Sequence, residues 1–267
     1  MNPLTPLQRG SAGTAVASGN NVSTPTTLNP ALPTHKAGDL LLCYTACRLP
    51  GPTVATPGGW TQLVNVAGST IGRLALFGKI AATESEAAPS ITWSGLTTGT
   101  NGSPVQAQCA VFTTVQLVTD VLGAVESGAA STTASASGTA ITTLTINDLV
   151  LALSARGDDV GAWTPPAGFT EIGEALTTSG ADMAFSWAYQ VKDVVGSVAP
   201  ADFAIAGGVS FASAGVLIAL KAALHVPGRL KVWTGSVWKE CPMKAWNGSA
   251  WVEEPVKIYN GSNWVII

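Results

Sequence analysis

The chain has 267 residues, 46% of them apolar and only 11% charged, and its formal net charge is −3 at pH 7. Average globular chains carry about 25% charged residues, so this surface consists largely of small neutral side chains, and disorder caused by high charge is disfavoured. The slight negative charge provides no basic field for a phosphate backbone, which argues against nucleic acid as a partner. Apolar residues occur in short runs and residues 1–10 lack the apolar core of a signal peptide. We therefore expect a soluble chain that neither spans a membrane nor follows the conventional secretory route.

The first strong element is the apolar run Leu40–Cys47, which is typical of a buried strand. In a strand, Cys43 and Cys47 lie on one face about 13 Å apart, too far for a disulfide between them. Cys109 and Cys241 complete the set, with no CxxC pair and no histidine at the spacing of metal ligands. We therefore expect reduced, mostly buried thiols, and neither a metal site nor a cofactor.

The sequence contains an internal repeat. Residues 38–43 (GDLLLC) correspond to residues 147–152 (NDLVLA), and the aligned aspartates give an offset of 148 − 39 = 109. At the same offset, residues 56–63 (TPGGWTQL) correspond to residues 165–172 (PPAGFTEI), with an aromatic residue in the same place. The repeat predicts two copies of one domain.

Each copy consists of short segments rich in Val, Ile, Leu, Thr and aromatic residues, separated by Pro and Gly turn signals. This pattern is typical of an antiparallel β-sandwich. The predicted architecture is all-β, with two tandem jelly-roll or immunoglobulin-like β-sandwiches over residues 1–116 and 117–224 and a small array of three β-hairpin repeats over residues 225–267. The low-complexity stretch 127–135 is interpreted as a small-residue edge strand, with disorder as the alternative.

The last segment repeats with a period of 244 − 231 = 13 residues. Residues 231–238 (KVWTGSVW), 244–251 (KAWNGSAW) and 257–264 (KIYNGSNW) align without gaps. In each unit an aromatic residue precedes a Thr-Gly or Asn-Gly turn and a Trp follows it, which is a strong local sign of a β-hairpin. The predicted cross-strand aromatic pairs are Trp233 with Trp238, Trp246 with Trp251, and Tyr259 with Trp264.

An isolated two-stranded hairpin is marginally stable in water, so these hairpins need a partner surface. The candidates are the other hairpins, the second sandwich, or the same segment of neighbouring chains, which predicts a homo-oligomer, for example a trimer. The six aromatic residues are therefore candidate oligomerisation residues. A sugar-stacking platform is the alternative interpretation of the same aromatic ladder.

No pattern typical of a catalytic centre occurs in the sequence. His35 and His225 lie outside any Gly-x-Ser-x-Gly motif and are interpreted as surface or loop residues. Neither a phosphate-binding loop nor a dinucleotide-binding glycine motif is present. We therefore predict no catalytic residue and no enzymatic activity.

The close carboxylate pairs are Asp158–Asp159 and Glu84 with Glu86. They are interpreted as solvated loop tips, with cation binding or glycoside cleavage as alternatives. Residues 156–158 also form an Arg-Gly-Asp tripeptide. The repeat aligns this tripeptide with the end of the first apolar strand, so it is interpreted as a strand's exit turn rather than as an adhesion motif.

The sequence resembles a family of virion proteins. The resemblance lies in residues 38–42 (GDLLL), 56–61 (TPGGWT), 91–95 (ITWSG) and 164–170 (TPPAGFT), together with the C-terminal Trp-x-Gly-Ser-x-Trp repeats. These motifs are similar to those of minor tail proteins and related virion proteins of tailed phages that infect actinobacteria. The resemblance implies sandwich domains on the particle surface, as tail-tip, fibre or head-decorating parts, some with affinity for carbohydrate. It implies no catalytic residue.

From the residues and this resemblance, we expect a non-enzymatic structural protein of the virion, assembled in the host cytoplasm. The expected role is that of a minor tail or tail-tip component that contributes to host adhesion. Its expected partners are other tail or capsid proteins and a host cell-wall glycan. The alternatives are a capsid protein that decorates the head, and a lectin-like carbohydrate-binding module that uses exposed aromatic residues.

Overall fold

The computed structural model describes residues 3–18, 25–69, 71–98, 102–131, 133–158, 162–177, 181–206, 210–223, 230–236, 238–241, 244–253, 257–259 and 264–266. The regular structure of these residues is all-β and antiparallel, as predicted. Within the same ranges there is no helix of the length and apolarity that a membrane span requires. The chain divides into two compact units, one of Thr5–Ala222 and one of Met1–Leu4 with Ala223–Ile267.

The larger unit consists of a first half, residues 5–114, and a second half, residues 115–222. The strands of the first half are β1 (Leu7–Gln8), β2 (Val16–Ser18), β3 (Thr26–Leu28), β4 (Leu40–Cys47), β5 (Thr53–Val54), β6 (Thr61–Ala67), β7 (Arg73–Ile80), β8 (Ile91–Ser94) and β9 (Val105–Thr113). The strands of the second half are β10 (Val115–Leu122), β11 (Glu126–Ser131), β12 (Ala134–Ser135), β13 (Ile141–Thr143), β14 (Asp148–Arg156), β15 (Ala162–Thr164), β16 (Thr170–Thr177), β17 (Met183–Lys192), β18 (Gly196–Val198), β19 (Phe203–Ala206) and β20 (Phe211–Ala222).

The two halves have the same strand order. The large sheet of the first half runs β1-β9-β4-β7-β6, with β2 also paired to β9, and that of the second half runs β10-β20-β14-β17-β16, with β11 also paired to β20. The small sheets, β3-β8-β5 and β12-β19-β15, correspond in the same way. The second half adds the pair β13-β18. The sequence repeat is therefore matched by a repeat of topology.

The central strands β4 and β14 are buried on both faces. In β4, Leu40, Leu42 and Tyr44 point to one core cluster, whereas Leu41 and Cys43 point to another. All eight positions of β4 and all nine of β14 are buried. Burial on both faces explains why these strands have continuous apolar runs instead of an alternating pattern.

The inner faces of the two large sheets pack against each other in a shared core. Members of both halves belong to this cluster, including Leu42 and Phe112 from the first half and Leu151 and Phe185 from the second. The small sheets cover the outer face of each large sheet through clusters of their own. The order of layers is therefore small, large, large, small.

This packing differs from the predicted organisation as two separate sandwiches. The contacts of the described residues join 5–222 into one unit, because the inner face of each large sheet is apolar and is covered by the other. The chain passes between the halves at Thr114, which has a φ of 60°. This point lies just before the boundary predicted at 116, which falls inside β10. The jelly-roll or immunoglobulin-like assignment stays a prediction.

The low-complexity stretch 127–135 contains strands rather than a linker. Strand β11 pairs with the edge of β20, and β12 pairs with β19. Space is limited at Gly128, because a Cβ atom there would lie 2.4 Å from Ser213 Oγ. The interpretation of this stretch as small-residue edge strands is confirmed for its described residues.

Candidate binding site on the aromatic hairpins

The C-terminal unit contains the three predicted hairpins. Their strands are β21 (Leu230–Trp233) with β22 (Trp238–Cys241), β23 (Lys244–Trp246) with β24 (Trp251–Glu253), and β25 (Lys257–Tyr259) with β26 (Trp264–Ile266). Each pair forms an antiparallel two-stranded sheet. The aromatic residues are direct partners in the register beside each turn: Trp233 with Trp238, Trp246 with Trp251, and Tyr259 with Trp264. The backbone register of these strands agrees with the predicted hairpins and places the aromatic residues opposite each other.

The middle hairpin shows the ring geometry and the solvent exposure of one such aromatic pair. The ring centroids of Trp246 and Trp251 are 5.8 Å apart, and the ring planes are tilted by 60°. Trp246 is 55% exposed and Trp251 is 65% exposed. The two rings therefore support each other and still leave more than half of their surface open to a ligand or a protein partner.

The turn between these two strands is held by the Asn247 side chain. Its Oδ1 atom accepts hydrogen bonds from Ser249 N at 2.9 Å, Ser249 Oγ at 3.0 Å and Ala250 N at 2.9 Å. Gly248 has a φ of +100°, a conformation that L side chains rarely adopt. The Asn-Gly-Ser signature thus fixes the turn locally, and the turn fixes the spacing of the two Trp residues.

The other aromatic candidates are placed by the backbone alone. Trp233, Trp238, Tyr259 and Trp264 lie at the corresponding register positions of their hairpins. Their side chains lie outside the described part of the structure, as does His225. Their assignment as oligomerisation or glycan-stacking residues stays a prediction.

Asp158 is not on a solvated loop tip, so that interpretation is wrong for this residue. It is 4% exposed and lies 3.3 Å from the guanidinium of Arg156, which is fully buried. That guanidinium also donates to Ser131 O at 3.0 Å and to Ala134 O at 3.3 Å. Burial lowers the pKa of Arg156, while Asp158 acts to raise it. The Arg-Gly-Asp tripeptide therefore ties the end of β14 to the neighbouring chain segment and offers no accessible guanidinium for adhesion.

The other candidate pair, Glu84 and Glu86, is split in the structure. Glu84 is exposed, whereas Glu86 holds its loop: one carboxylate oxygen lies 2.5 Å from Lys79 Nζ and the other accepts a hydrogen bond from Ala82 N at 2.8 Å. Lys79 lowers the pKa of Glu86. His35 is 6% exposed, and its Nε2 accepts a hydrogen bond from Glu86 N at 3.1 Å. His35 therefore lies in a loop, as one part of the interpretation allowed, but its ring is buried and is not on the surface.

The described thiols are core residues. Cys43, Cys47 and Cys109 are reduced and buried, and Cys43 and Cys47 lie in the same core cluster, on one face of β4 as predicted. Cys43 is the direct register partner of Cys109. Burial raises the pKa of Cys43, with Cys109 adding to the effect, and burial raises the pKa of Cys47 to about 12. Among the described residues, no cluster of three or more His, Cys, Asp or Glu side chains is placed to hold a metal ion.

One ionisable cluster was missed by sequence reasoning. Asp148, the landmark of the second repeat, is fully buried beside Asp120 of β10. The two residues are far apart in the sequence and meet only because β20 pairs with both β10 and β14. The repeat offers no sequence signal for this contact, because the offset of 109 aligns Arg9 with Val118 (9 + 109 = 118) rather than with Asp120.

Comparison of the chain with protein-family models, with curated proteins and with solved structures finds no match. A functional proposal for this chain therefore rests on its own residues and their geometry.

Proposed function

We propose that this chain is a non-enzymatic structural protein of a tailed-bacteriophage virion, a minor tail or tail-tip component exposed on the particle. The observation that carries the proposal is the contrast between its two units. One is a four-layered β unit, and the other presents an aromatic pair to solvent on a short hairpin. A large β unit followed by a segment with exposed aromatic residues suits a protein that attaches to the particle and presents a binding surface.

The contacts made by the side chains with catalytic or binding potential support this proposal. Asp158, Glu86 and His35 are each engaged in contacts that hold a loop or a strand end. Their carboxylates and ring nitrogen are already used by neighbouring protein groups. These three side chains thus stabilise the fold through contacts with neighbouring groups.

The proposal is tested on purified phage particles. We expect mass spectrometry to find the chain in the particles, and immunogold electron microscopy with an antibody against residues 228–267 to place gold at the tail tip. Gold spread over the head would replace the tail assignment by that of a capsid-decorating protein. Particles that contain none of the chain would overturn the virion proposal.

A second candidate function is carbohydrate binding, and the exposure of Trp246 and Trp251 favours it. The apolar face of a sugar ring stacks on an aromatic ring and removes apolar surface from water. A host cell-wall glycan is the proposed ligand. This activity is compatible with a place on the virion, and it is the principal function if the chain acts as a free lectin.

The glycan candidate predicts a loss of binding in the variant Trp251→Ala. The full chain is sedimented with insoluble bacterial cell walls, and we expect the variant to bind about tenfold more weakly, which corresponds to about 1.4 kcal/mol. The matched control is Val195→Ala, which removes an exposed apolar side chain, 53% accessible, from the other unit. Equal losses in both variants, or a wild-type chain that stays in the supernatant, would argue against a glycan site on the hairpin.

A further inference from the structure

Two carboxyl groups are buried together at the beginning of β14. Asp148 is fully buried, and the side chain of Asp120 is 1% exposed. Thr145 joins the two carboxyl groups, because its backbone N donates to Asp120 Oδ2 at 3.3 Å and its hydroxyl donates to Asp148 Oδ1. Asp148 Oδ2 has no hydrogen-bond donor among the described residues, and Asp120 Oδ1 has only a long contact of 3.5 Å with the Lys221 ammonium. A proton between the two carboxyl groups would supply the donor that this arrangement lacks.

Among the described residues, two lysines lie on the strands next to the pair. Lys221 of β20 places its Nζ 3.5 Å from Asp120 Oδ1, and its side chain is 37% exposed. Lys192 of β17 is the register partner of Asp148. Two ionised carboxylates in contact inside a protein repel each other, so one of them holds a proton over a wide pH range.

The environment of each carboxyl group fixes where that proton resides. Burial raises the pKa of Asp148 to about 7, and the charge of Asp120 adds to this effect. Burial also acts to raise the pKa of Asp120, but a hydrogen bond from Leu144 N and the contacts with Asp148 and Lys221 lower it overall. The proton therefore belongs to Asp148, while Asp120 carries the negative charge.

In the first half, the corresponding buried aspartate is paired with a cation. In the first half, Gln8 pairs with Phe112, which itself pairs with Leu40. In the second half, Thr119 pairs with Leu220, which itself pairs with Leu149. Because Leu40 and Leu149 correspond in the repeat, Gln8 and Thr119 have equivalent partners. The next residue of each strand lies beside the corresponding aspartate: Arg9 in the first half and, at an irregularity in the register of β10, Asp120 in the second. Arg9 binds Asp39, the counterpart of Asp148, through Nε–Oδ2 at 2.5 Å and Nη2–Oδ1 at 3.1 Å. In the second half a proton takes the place of that guanidinium.

The acid pair holds a turn that carries exposed apolar side chains. Asp120 Oδ2 accepts hydrogen bonds from Leu144 N at 2.5 Å and Thr145 N at 3.3 Å, and the Thr145 hydroxyl donates to Asp148 Oδ1. Leu144 is 65% exposed and Ile146 is 39% exposed. The adjoining turn, brought alongside by the pairing of Thr143 with Gly196, exposes Val194 and Val195. We refer to these four exposed side chains of the two adjoining turns as the apolar patch.

We propose that Asp120 and Asp148 act as a proton-operated latch: uptake of one shared proton fixes the 144–147 turn and its apolar patch, and loss of that proton loosens them. This inference goes beyond the proposed function and does not depend on it. When the turn opens, Asp148 reaches water and regains its ordinary acidity. Closing the turn therefore takes up a proton, which makes the closed state more favourable as the pH falls.

The direction and size of the effect follow from linkage. The pKa of Asp148 is raised from 3.8 to about 7 when the turn is closed. The stabilisation is therefore fully present below about pH 4 and is lost as the pH rises through about 7. Within this window, the equilibrium constant for closing falls by up to about tenfold for each pH unit.

The test is hydrogen–deuterium exchange of the full chain between pH 5 and pH 8, corrected for the intrinsic pH dependence of exchange. We expect protection of the Leu144 and Thr145 amides to fall by up to about 100-fold between pH 5 and pH 7 and to level off above it. In Asp120→Asn this dependence should weaken, because the introduced side-chain amide can donate to an ionised Asp148 while its carbonyl keeps the bond from Leu144 N, although burial still raises the pKa of Asp148. Asp193→Asn, which changes an exposed acid in the adjoining turn, should keep the wild-type profile.

The latch would be overturned by wild-type protection that stays constant from pH 5 to pH 8. It would also be overturned if Asp120→Asn kept the full wild-type pH dependence. Should Asp120→Asn fail to fold, the variant Asp148→Asn provides the same comparison, since it removes the protonating group itself. The wild-type profile decides the question even without either variant.

Discussion

Residues 1–114 and 115–222, produced as separate chains, are expected not to fold as stable monomers. Each half alone would expose the inner face of its large sheet, which is lined by residues such as Leu42 and Phe112 or Leu151 and Phe185. Such an apolar face exceeds what soluble monomers tolerate. Circular dichroism and size-exclusion chromatography are expected to show aggregated or poorly folded material for each fragment.

The control for this experiment is the intact chain together with a mixture of both fragments. We expect the intact chain to unfold residues 5–222 in one cooperative transition, and the mixed fragments to recover part of that structure, because each supplies the face that the other lacks. A monomeric half that unfolds cooperatively on its own would show that the shared core is dispensable. In that case the two halves would be independent sandwiches.

Replacement of Tyr44 by alanine is expected to lower the free energy of unfolding by about 3–5 kcal/mol. Tyr44 is fully buried in the shared core. The centroid of its ring lies 4.8 Å from the ring centroid of Phe185 and 5.7 Å from that of Trp187. Its hydroxyl donates to Ser154 O across the two halves at 2.9 Å. Chemical denaturation followed by circular dichroism measures the loss, and both halves should be destabilised together.

Two further variants separate the contributions of Tyr44. Tyr44→Phe keeps the ring and removes the hydroxyl, so it should cost about 1–3 kcal/mol because Ser154 O is left without this donor. Leu176→Ala, at a side chain 40% exposed, should change stability by much less than Tyr44→Ala. If Tyr44→Ala cost no more than Tyr44→Phe, the ring would contribute little to the contact between the halves.

Polar side chains also join the two halves across the shared core. Gln106 Nε2 donates to Met183 O at 3.1 Å, and Trp187 Nε1 donates to Gln108 Oε1 at 2.8 Å. Both glutamines lie on β9, and the apolar residues of this strand are recognisable in the sequence. Sequence reasoning gave them no role, because their partners belong to the other half and meet them only when the sheets pack.

Local features of the chain were predictable from sequence because their causes are local. The run Leu40–Cys47 predicts a strand because both of its faces are apolar, and the sheet buries both. The hairpin 244–253 follows from an Asn-Gly turn between two Trp residues, and Asn247 closes that turn within four residues. The repeat offset likewise anticipates two halves with one strand order.

The sequence alone thus determined the strands, the turns and the pairing of aromatic residues in the hairpins, since these depend on side-chain periodicity and on backbone conformations close in the chain. Tertiary structure decided that the halves share a core, that Asp158 and His35 are buried, and that Asp120 meets Asp148. The physical reason is that burial and pKa depend on which distant segments exclude water from a group. That exclusion is set by the packing of sheets, which local sequence patterns do not specify.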